Sequence, residues 1–202
     1  MRGKFITFEG VDGAGKSTHV EWFANELRSA GRGVVVTREP GGSELAEKLR
    51  ALVLHDAMDA VTETLLVFAA RDDHVRKRIQ PALDAGTWVV CDRFSDATLA
   101  YQGGGKGVER GLIESLKLAV HPGLRPDCTL IFDCPYTVSL ERMARSGRAL
   151  DRFEREGQAF FERVRAAYLG VAEAEPDRIR VIDSTHPPEA IRAQLRAIIA
   201  AL

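Results

Sequence analysis

Eight residues near the amino terminus constrain this chain more than any others. Gly10-Val11-Asp12-Gly13-Ala14-Gly15-Lys16-Ser17 satisfies G-x-x-x-x-G-K-[ST] at every fixed position. A chance match is expected in roughly 1% of chains this long on average residue usage. The context narrows it further, because an apolar run precedes the segment and a helical pattern follows it. The glycines let successive backbone N–H groups converge on one point without Cβ clashes. The helix that opens there adds its positive dipole end. Phosphate is the ligand such a cradle takes: residues Gly10 through Thr18 hold it, Lys16 reaches its outer oxygens, and the Ser17 hydroxyl is placed to ligate Mg²⁺.

The rest of the chain alternates short apolar runs with longer helical patterns. Strands are expected at Lys4–Glu9, Gly33–Thr37, Trp88–Asp92, Cys128–Asp133 and Arg178–Asp183. They are rich in Val, Ile, Leu and Phe without strict alternation, as expected of strands buried on both faces of a parallel sheet. Helices are expected near 15–30, 43–54, 60–85, 108–119, 136–146, 152–174 and 187–201. This is an α/β chain whose five-stranded parallel sheet is flanked by helices. With 202 residues it is expected to form one domain. The formal net charge of −1 argues against a general nucleic-acid binder. No apolar run approaches the ~20 residues of a membrane span. Cys91, Cys128 and Cys134 lack metal-ligand spacing and read as buried thiols of a reducing, cytoplasmic compartment.

Two further segments fall at strand ends, where open α/β sheets bind ligands. In Asp92-Arg93-Phe94 the arginine can grip a phosphate through its planar fork, while the aspartate can hold Mg²⁺ or its waters, or fix the arginine. A surface ion pair is the plainer alternative. Thr37-Arg38-Glu39-Pro40-Gly41-Gly42 puts Arg38 and Glu39 at the same edge, or makes only a turn with an ion pair. An Asn-Lys-x-Asp guanine reader is excluded, because Asn25 is the single asparagine and lies in the first helix.

The blocks Phe8 to Thr18, Thr37 to Gly42, Asp92-Arg93-Phe94 and Ala100-Tyr101-Gln102-Gly103 occur in the order found in thymidylate kinases. The chain resembles bacterial members of that family from its first strand to its last helix. The resemblance implies a three-layer P-loop NTPase fold with a short lid over about 142–157. It implies an ATP-dependent, Mg²⁺-assisted kinase of dTMP, homodimeric, acting in dTTP synthesis. Asp12 then stands beside the acceptor's phosphate and sugar. Arg93 and Arg38 hold that phosphate from two sides. Arg71 and Gln102 read the thymine ring, Tyr101 crowds C2′ of the sugar, and Thr98 supplies a hydroxyl beside Ala97, where many relatives carry Ser. In the family the stacking ring often lies four residues before the arginine, at Val67 here. Phe68, three residues before, is assigned the stacking, with ordinary core as the alternative.

Arg142, Arg145, Arg148 and Arg152, with Asp151 and Glu154, crowd the expected lid. A solvated charged face is the alternative. Gly13 stands where some relatives carry an arginine inside the loop, so the resemblance implies that the lid supplies that charge. Arg148 is taken as the catalytic one beside Asp12, Lys16 and Arg93, and Ser17 and Asp92 as the metal ligands. No histidine is given a role. Another nucleoside monophosphate kinase and a non-catalytic ATP sensor are the rival readings.

Overall fold

The computed structural model describes residues 2–145, 147 and 151–202. The chain runs β1 (Phe5–Glu9), α1 (Ser17–Ser29), β2 (Val34–Arg38), α2 (Glu44–His55), α3 (Ala60–His74), α4 (Gln80–Asp84) and β3 (Trp88–Asp92). It continues through α5 (Ser95–Thr98), α6 (Arg110–Val120), β4 (Cys128–Asp133), α7 (Tyr136–Arg145), α8 (Gln158–Ala174), β5 (Ile179–Asp183) and α9 (Pro188–Ala201). The five strands form one parallel sheet in the order β2-β3-β1-β4-β5. The connection from β1 runs toward β2 and that from β3 toward β4, which puts the topological switch point at the carboxyl ends of β1 and β3.

Every side chain of β1 is buried, and alternate residues serve opposite faces. Ile6 and Phe8 pack with Val20, Phe23 and Leu27 of α1. Phe5 packs with Val75, Ile79, Leu83 and Phe94 across the other face. The register places Phe8 beside Asp92, and Asp92 beside Arg38. The exits of β1, β3 and β2 thus lie side by side, which brings three distant sequence blocks to one edge.

Three departures from the sequence-based expectation have local causes. The helical stretch from 60 contains a π-helical turn at Val75–Ile79, just ahead of Pro81, which has no N–H to offer the preceding turn. A helix not anticipated from the sequence follows β3. It consists of α5 and a π-helical turn over Leu99–Gly105. Its glycines have low helix propensity, yet a Cβ on Gly104 would stand 2.5 Å from the Cβ of Ala167, so their absent side chains let α8 approach. Finally, α8 begins at Gln158 rather than 152. Asp151 accepts from the backbone N–H groups of Phe153 (2.9 Å) and Glu154 (3.0 Å), closing a turn first.

Candidate active site

The loop between β1 and α1 needs glycine at two points. Gly10 has φ +128° and its missing Cβ would collide with the Phe132 carbonyl of the neighbouring strand; Gly13 has φ +74° and a Cβ there would lie 2.6 Å from the Ser139 carbonyl oxygen. Asp12 to Thr18 line a cleft of about 630 Å³. Gly10 and Val11 support the loop from behind, and the Gly10 carbonyl is held from the front by two cations. Lys16 Nζ donates to it at 2.9 Å and to the Val11 carbonyl at 3.0 Å. Arg93 Nη1 donates to it at 2.8 Å. Burial, with Arg93 nearby, pushes the Lys16 ammonium down to about 8 against the pull of Asp92, Asp12 and Glu9.

Arg93 is the one non-glycine residue with positive φ, +71°, among the described residues. That backbone turn directs its guanidinium back over the loop. Nη2 meets Asp12 Oδ1 at 2.7 Å and the Tyr101 hydroxyl at 3.0 Å. Tyr101 in turn donates to Asp12 Oδ2 at 2.7 Å. Burial would raise the Asp12 carboxyl, but Arg93 and Lys16 outweigh it and hold the group below its usual range.

A second, smaller pocket of about 90 Å³ opens beside the first. Asp12, Glu39, Arg50, Arg93 and Asp151 line both, so the two cavities meet at the Asp12–Arg93 pair. Arg71 forms the second pocket's buried wall. Its Nε meets Glu39 Oε2 at 2.6 Å, and Nη2 donates to the Phe94 carbonyl (3.1 Å) and Thr98 Oγ1 (3.0 Å). Its Nη1 is buried without a partner. Glu39 also meets His74 Nδ1 at 3.0 Å. Burial would raise Glu39, but Arg71 and His74 hold it low.

The pocket brings together Arg71, Thr98, Tyr101 and Gln102 as anticipated, but not Phe68. Phe68 is a correction to the sequence-based reading: it packs with Val108 and Ile113 in a separate core cluster, behind Arg71. Val67 lines the pocket instead. One residue along a helix is a rotation of about 100°, enough to exchange a cavity-facing position for a core-facing one. Gln102 Nε2 donates to the buried Glu63 at 2.8 Å. Glu63 also receives Lys106 at 2.7 Å and Arg152.

Of the arginines expected in the lid, Arg142 lines the larger cleft, with its fork on the carbonyls of Ala14 (3.2 Å) and Ser184 (2.7 Å). Two others point elsewhere. Arg145 is exposed and pairs with Glu141 at 3.6 Å, as i,i+4 neighbours do. Arg152 meets Glu63 and the Val53 carbonyl instead, joining Lys106 on the buried carboxyl. Arg148 lies outside the described residues. Asp151 and Glu154 line the larger cleft, and burial raises the Asp151 carboxyl.

Ser17, Arg38 and Asp92 also reach the larger cleft. Arg38 is half exposed and paired with Glu47 at 3.0 Å. Asp92 Oδ1 is buried without a hydrogen-bond partner. A buried carboxylate oxygen lacking a donor, in one cleft with a serine hydroxyl at a helix start, suits a hard cation with oxygen ligands such as Mg²⁺. Arg50, in both cavities and donating to the Pro40 carbonyl at 2.8 Å, was not singled out from the sequence. Nothing in an amphipathic helix marks one surface arginine above its neighbours.

The thymidylate kinase family matches residues 8–195. A thymidylate kinase of Bordetella petrii is 56% identical over 201 residues, covering 100% of this chain and 97% of that protein. One of Cupriavidus necator is 54% identical over 204 residues and covers 100% of both chains. The crystal structure of thymidylate kinase from Ehrlichia chaffeensis superposes with a TM-score of 0.80 at 33% identity, covering 98% of this chain and 99% of that one. With its sheet order, its phosphate loop and the two cavities that meet at Arg93, the chain belongs to the thymidylate kinase family.

Proposed function

We propose that this protein binds ATP in the larger cleft and dTMP in the smaller pocket, and transfers the γ-phosphoryl group across the Asp12–Arg93 junction. The reaction is ATP + dTMP → ADP + dTDP, a step in dTTP synthesis for DNA replication. The observation that carries the division of roles is the pair of cavities sharing Asp12 and Arg93, with Arg71 Nη1 buried and unpartnered at the wall of the second. A free N–H there asks for an acceptor, which a thymine carbonyl supplies.

An oxygen of the acceptor phosphate attacks the γ-phosphorus, and the bond to the β,γ-bridging oxygen breaks. A phosphomonoester's second pKa is near 6, so the nucleophile is anionic at neutral pH and no general base is needed. What the protein supplies is placement and charge. Lys16 and the loop N–H groups hold the donor. Arg93, with Arg38 and Arg50 at the rim, offsets the repulsion between the two polyanions. Ser17 and Asp92 would hold Mg²⁺, which supplies neutralisation of the phosphate oxygens. The expected lid contributes Arg142, Asp151 and Glu154 to the larger cleft, where they would help exclude water.

Homodimerisation is supported by apolar side chains left exposed on α2 and α3, namely Leu45, Leu52, Val61 and Leu65. Sedimentation or light scattering tests it. A cytoplasmic location is supported by three free, buried cysteines. No helix among the described residues is long and apolar enough to cross a membrane.

The test of function is ADP formation with Mg²⁺-ATP against dTMP, dUMP, UMP, dCMP, AMP, GMP and thymidine. Strong turnover with dTMP and weak turnover with dUMP is expected; preference for another nucleotide would overturn the assignment of Arg71 and Gln102. A second expectation concerns pH. ATP binding favours the charged Lys16, whose free-state value lies near 8. Binding therefore takes up a proton above that pH, and affinity falls as pH rises from 8 toward 9.5. Calorimetric ATP titrations at pH 7, 8 and 9 check this; an affinity flat across the range contradicts it.

A further inference from the structure

Beneath Arg93 lies a buried group that the reaction above does not use. Glu9, the last residue of β1, is fully buried on the face of the sheet opposite α1. Its Oε1 accepts from the backbone N–H of Phe94 at 2.7 Å, and its Oε2 meets the Tyr168 hydroxyl at 2.8 Å. The same Tyr168 oxygen receives Arg93 Nη1 at 3.1 Å. Tyr168 is itself buried and belongs to α8, the helix that follows the lid segment. A closed circuit therefore runs from the end of β1, through the peptide N–H just after Arg93, to the guanidinium of Arg93 and back through α8.

We propose that Glu9 and Tyr168 are positioning residues for phosphoryl transfer, holding Arg93 in its left-handed turn with its fork aimed at the junction of the two cavities. This rests on the reading that Arg93 meets the transferring or acceptor phosphate. A positive φ at a non-glycine residue persists only where its surroundings determine it. The Arg93 N–H is fixed by the Phe8 carbonyl at 2.9 Å, and the next N–H by Glu9. Two consecutive anchors pin the peptide on both sides of the turn. The guanidinium is then divided: Nη2 goes to Asp12 and Tyr101 in the cavity, while Nη1 is drawn back to the Gly10 carbonyl and Tyr168.

The electrostatic setting suits this role. Arg93, Asp96, Lys16, Cys91 and Tyr168 surround Glu9. Burial, with Asp96 adding to it, pushes the Glu9 carboxyl up to about 8 despite Arg93. Near neutral pH this favours the carboxylic acid, which accepts from the Phe94 N–H and from the Tyr168 hydroxyl. Neutral, Glu9 adds no second carboxylate to compete with a phosphate for the guanidinium that already meets Asp12.

The experiment compares Tyr168→Phe, Glu9→Ala and Glu9→Gln with Arg93→Ala, and combines Tyr168→Phe with Arg93→Ala. Steady-state kinetics with Mg²⁺-ATP and dTMP are recorded beside thermal melts. Losing one buried hydrogen bond to a charged group is expected to lower kcat in Tyr168→Phe by roughly tenfold, with KM for ATP unchanged. Glu9→Gln, which keeps an amide of the same shape between the Phe94 N–H and the Tyr168 hydroxyl, is expected to recover about tenfold over Glu9→Ala. In the Arg93→Ala background Tyr168→Phe should have no further effect, because residues acting through one group are not additive. Full activity in Tyr168→Phe and Glu9→Ala overturns the inference, as does a loss that adds to that of Arg93→Ala or merely follows the melting temperature. Full activity in Arg93→Ala itself would instead overturn the reading of the site.

Discussion

Arg93→Ala is expected to lower kcat for dTMP phosphorylation by about three orders of magnitude while leaving the chain folded. Removing one preorganised donor from a transition state typically costs about 10²–10³ in rate. On the proposed mechanism Arg93 supplies both a donor and the positive charge at the point where two polyanions meet. The fold survives because the residue is a half-loop at a strand exit rather than a core side chain. Asp12 keeps Lys16 as a neighbouring charge and Tyr101 as a donor at 2.7 Å. Arg93→Lys is expected to recover only a small part of the rate. An ammonium cannot serve the Gly10 carbonyl, the Tyr168 hydroxyl, the Asp12 carboxylate and a phosphate in one planar fork. Steady-state turnover at saturating ATP and dTMP, with a thermal melt as control, checks this. A kcat within tenfold of the parent would remove Arg93 from the centre of the mechanism.

Arg71→Ala is expected to damage recognition and stability together. Acceptor kcat/KM should fall by roughly 10³-fold, since a pocket built to donate to a ligand loses its donor. Stability should fall by about 3–5 kcal/mol, the usual cost of breaking a buried ion pair and leaving one charge behind. Glu39 is the charge left, 3% exposed, with His74 as its remaining side-chain partner. Its sign in pH is definite. A carboxyl held below its ordinary 4.5 contributes stability above that pH and loses it as pH falls through the lower folded value. Acid unfolding should therefore be less steep in Arg71→Ala than in the parent. Arg71→Leu combined with Glu39→Gln should restore much of the melting temperature and none of the dTMP selectivity. Urea or thermal denaturation and acceptor panels read these effects separately. An Arg71→Ala protein with unchanged melting and unchanged preference would refute both parts.

The sequence made the strand exits legible and the helix faces only partly so. β1, β3 and β4 were bounded by their own chemistry, because buried apolar runs end where acidic and glycine residues begin. The phosphate loop was legible for the same reason: its glycines are demanded by backbone geometry. Arg93 could be placed at the sheet edge, but its positive φ could not, since nothing in Asp-Arg-Phe signals a left-handed turn. Phe68 shows the limit on helices. Val67 and Phe68 both sit at acceptable spacing from Arg71, and only the packing of Phe68 against Val108 and Ile113 decides which faces the cavity. Arg50, Glu9 and Glu63 were hidden because a single charged residue in a helix or at a strand end has no pattern. Their significance comes from partners remote in sequence.

The register that sets Phe8, Asp92 and Arg38 in one row has a consequence for how such a chain can change. The groups proposed to handle phosphate sit at or just past the exits of neighbouring strands, so their placement follows the inter-strand spacing of about 4.8 Å. That spacing is held by backbone ladders that no side-chain substitution rewrites. The groups proposed to read the base, Arg71, Thr98 and Gln102, come instead from α3, α5 and the π-helical turn behind it. On the proposed mechanism the reaction is thus set by the sheet and the choice of substrate by the helices. New acceptor preferences are accessible by repacking α3 and α5 without disturbing the distance across which the phosphoryl group moves.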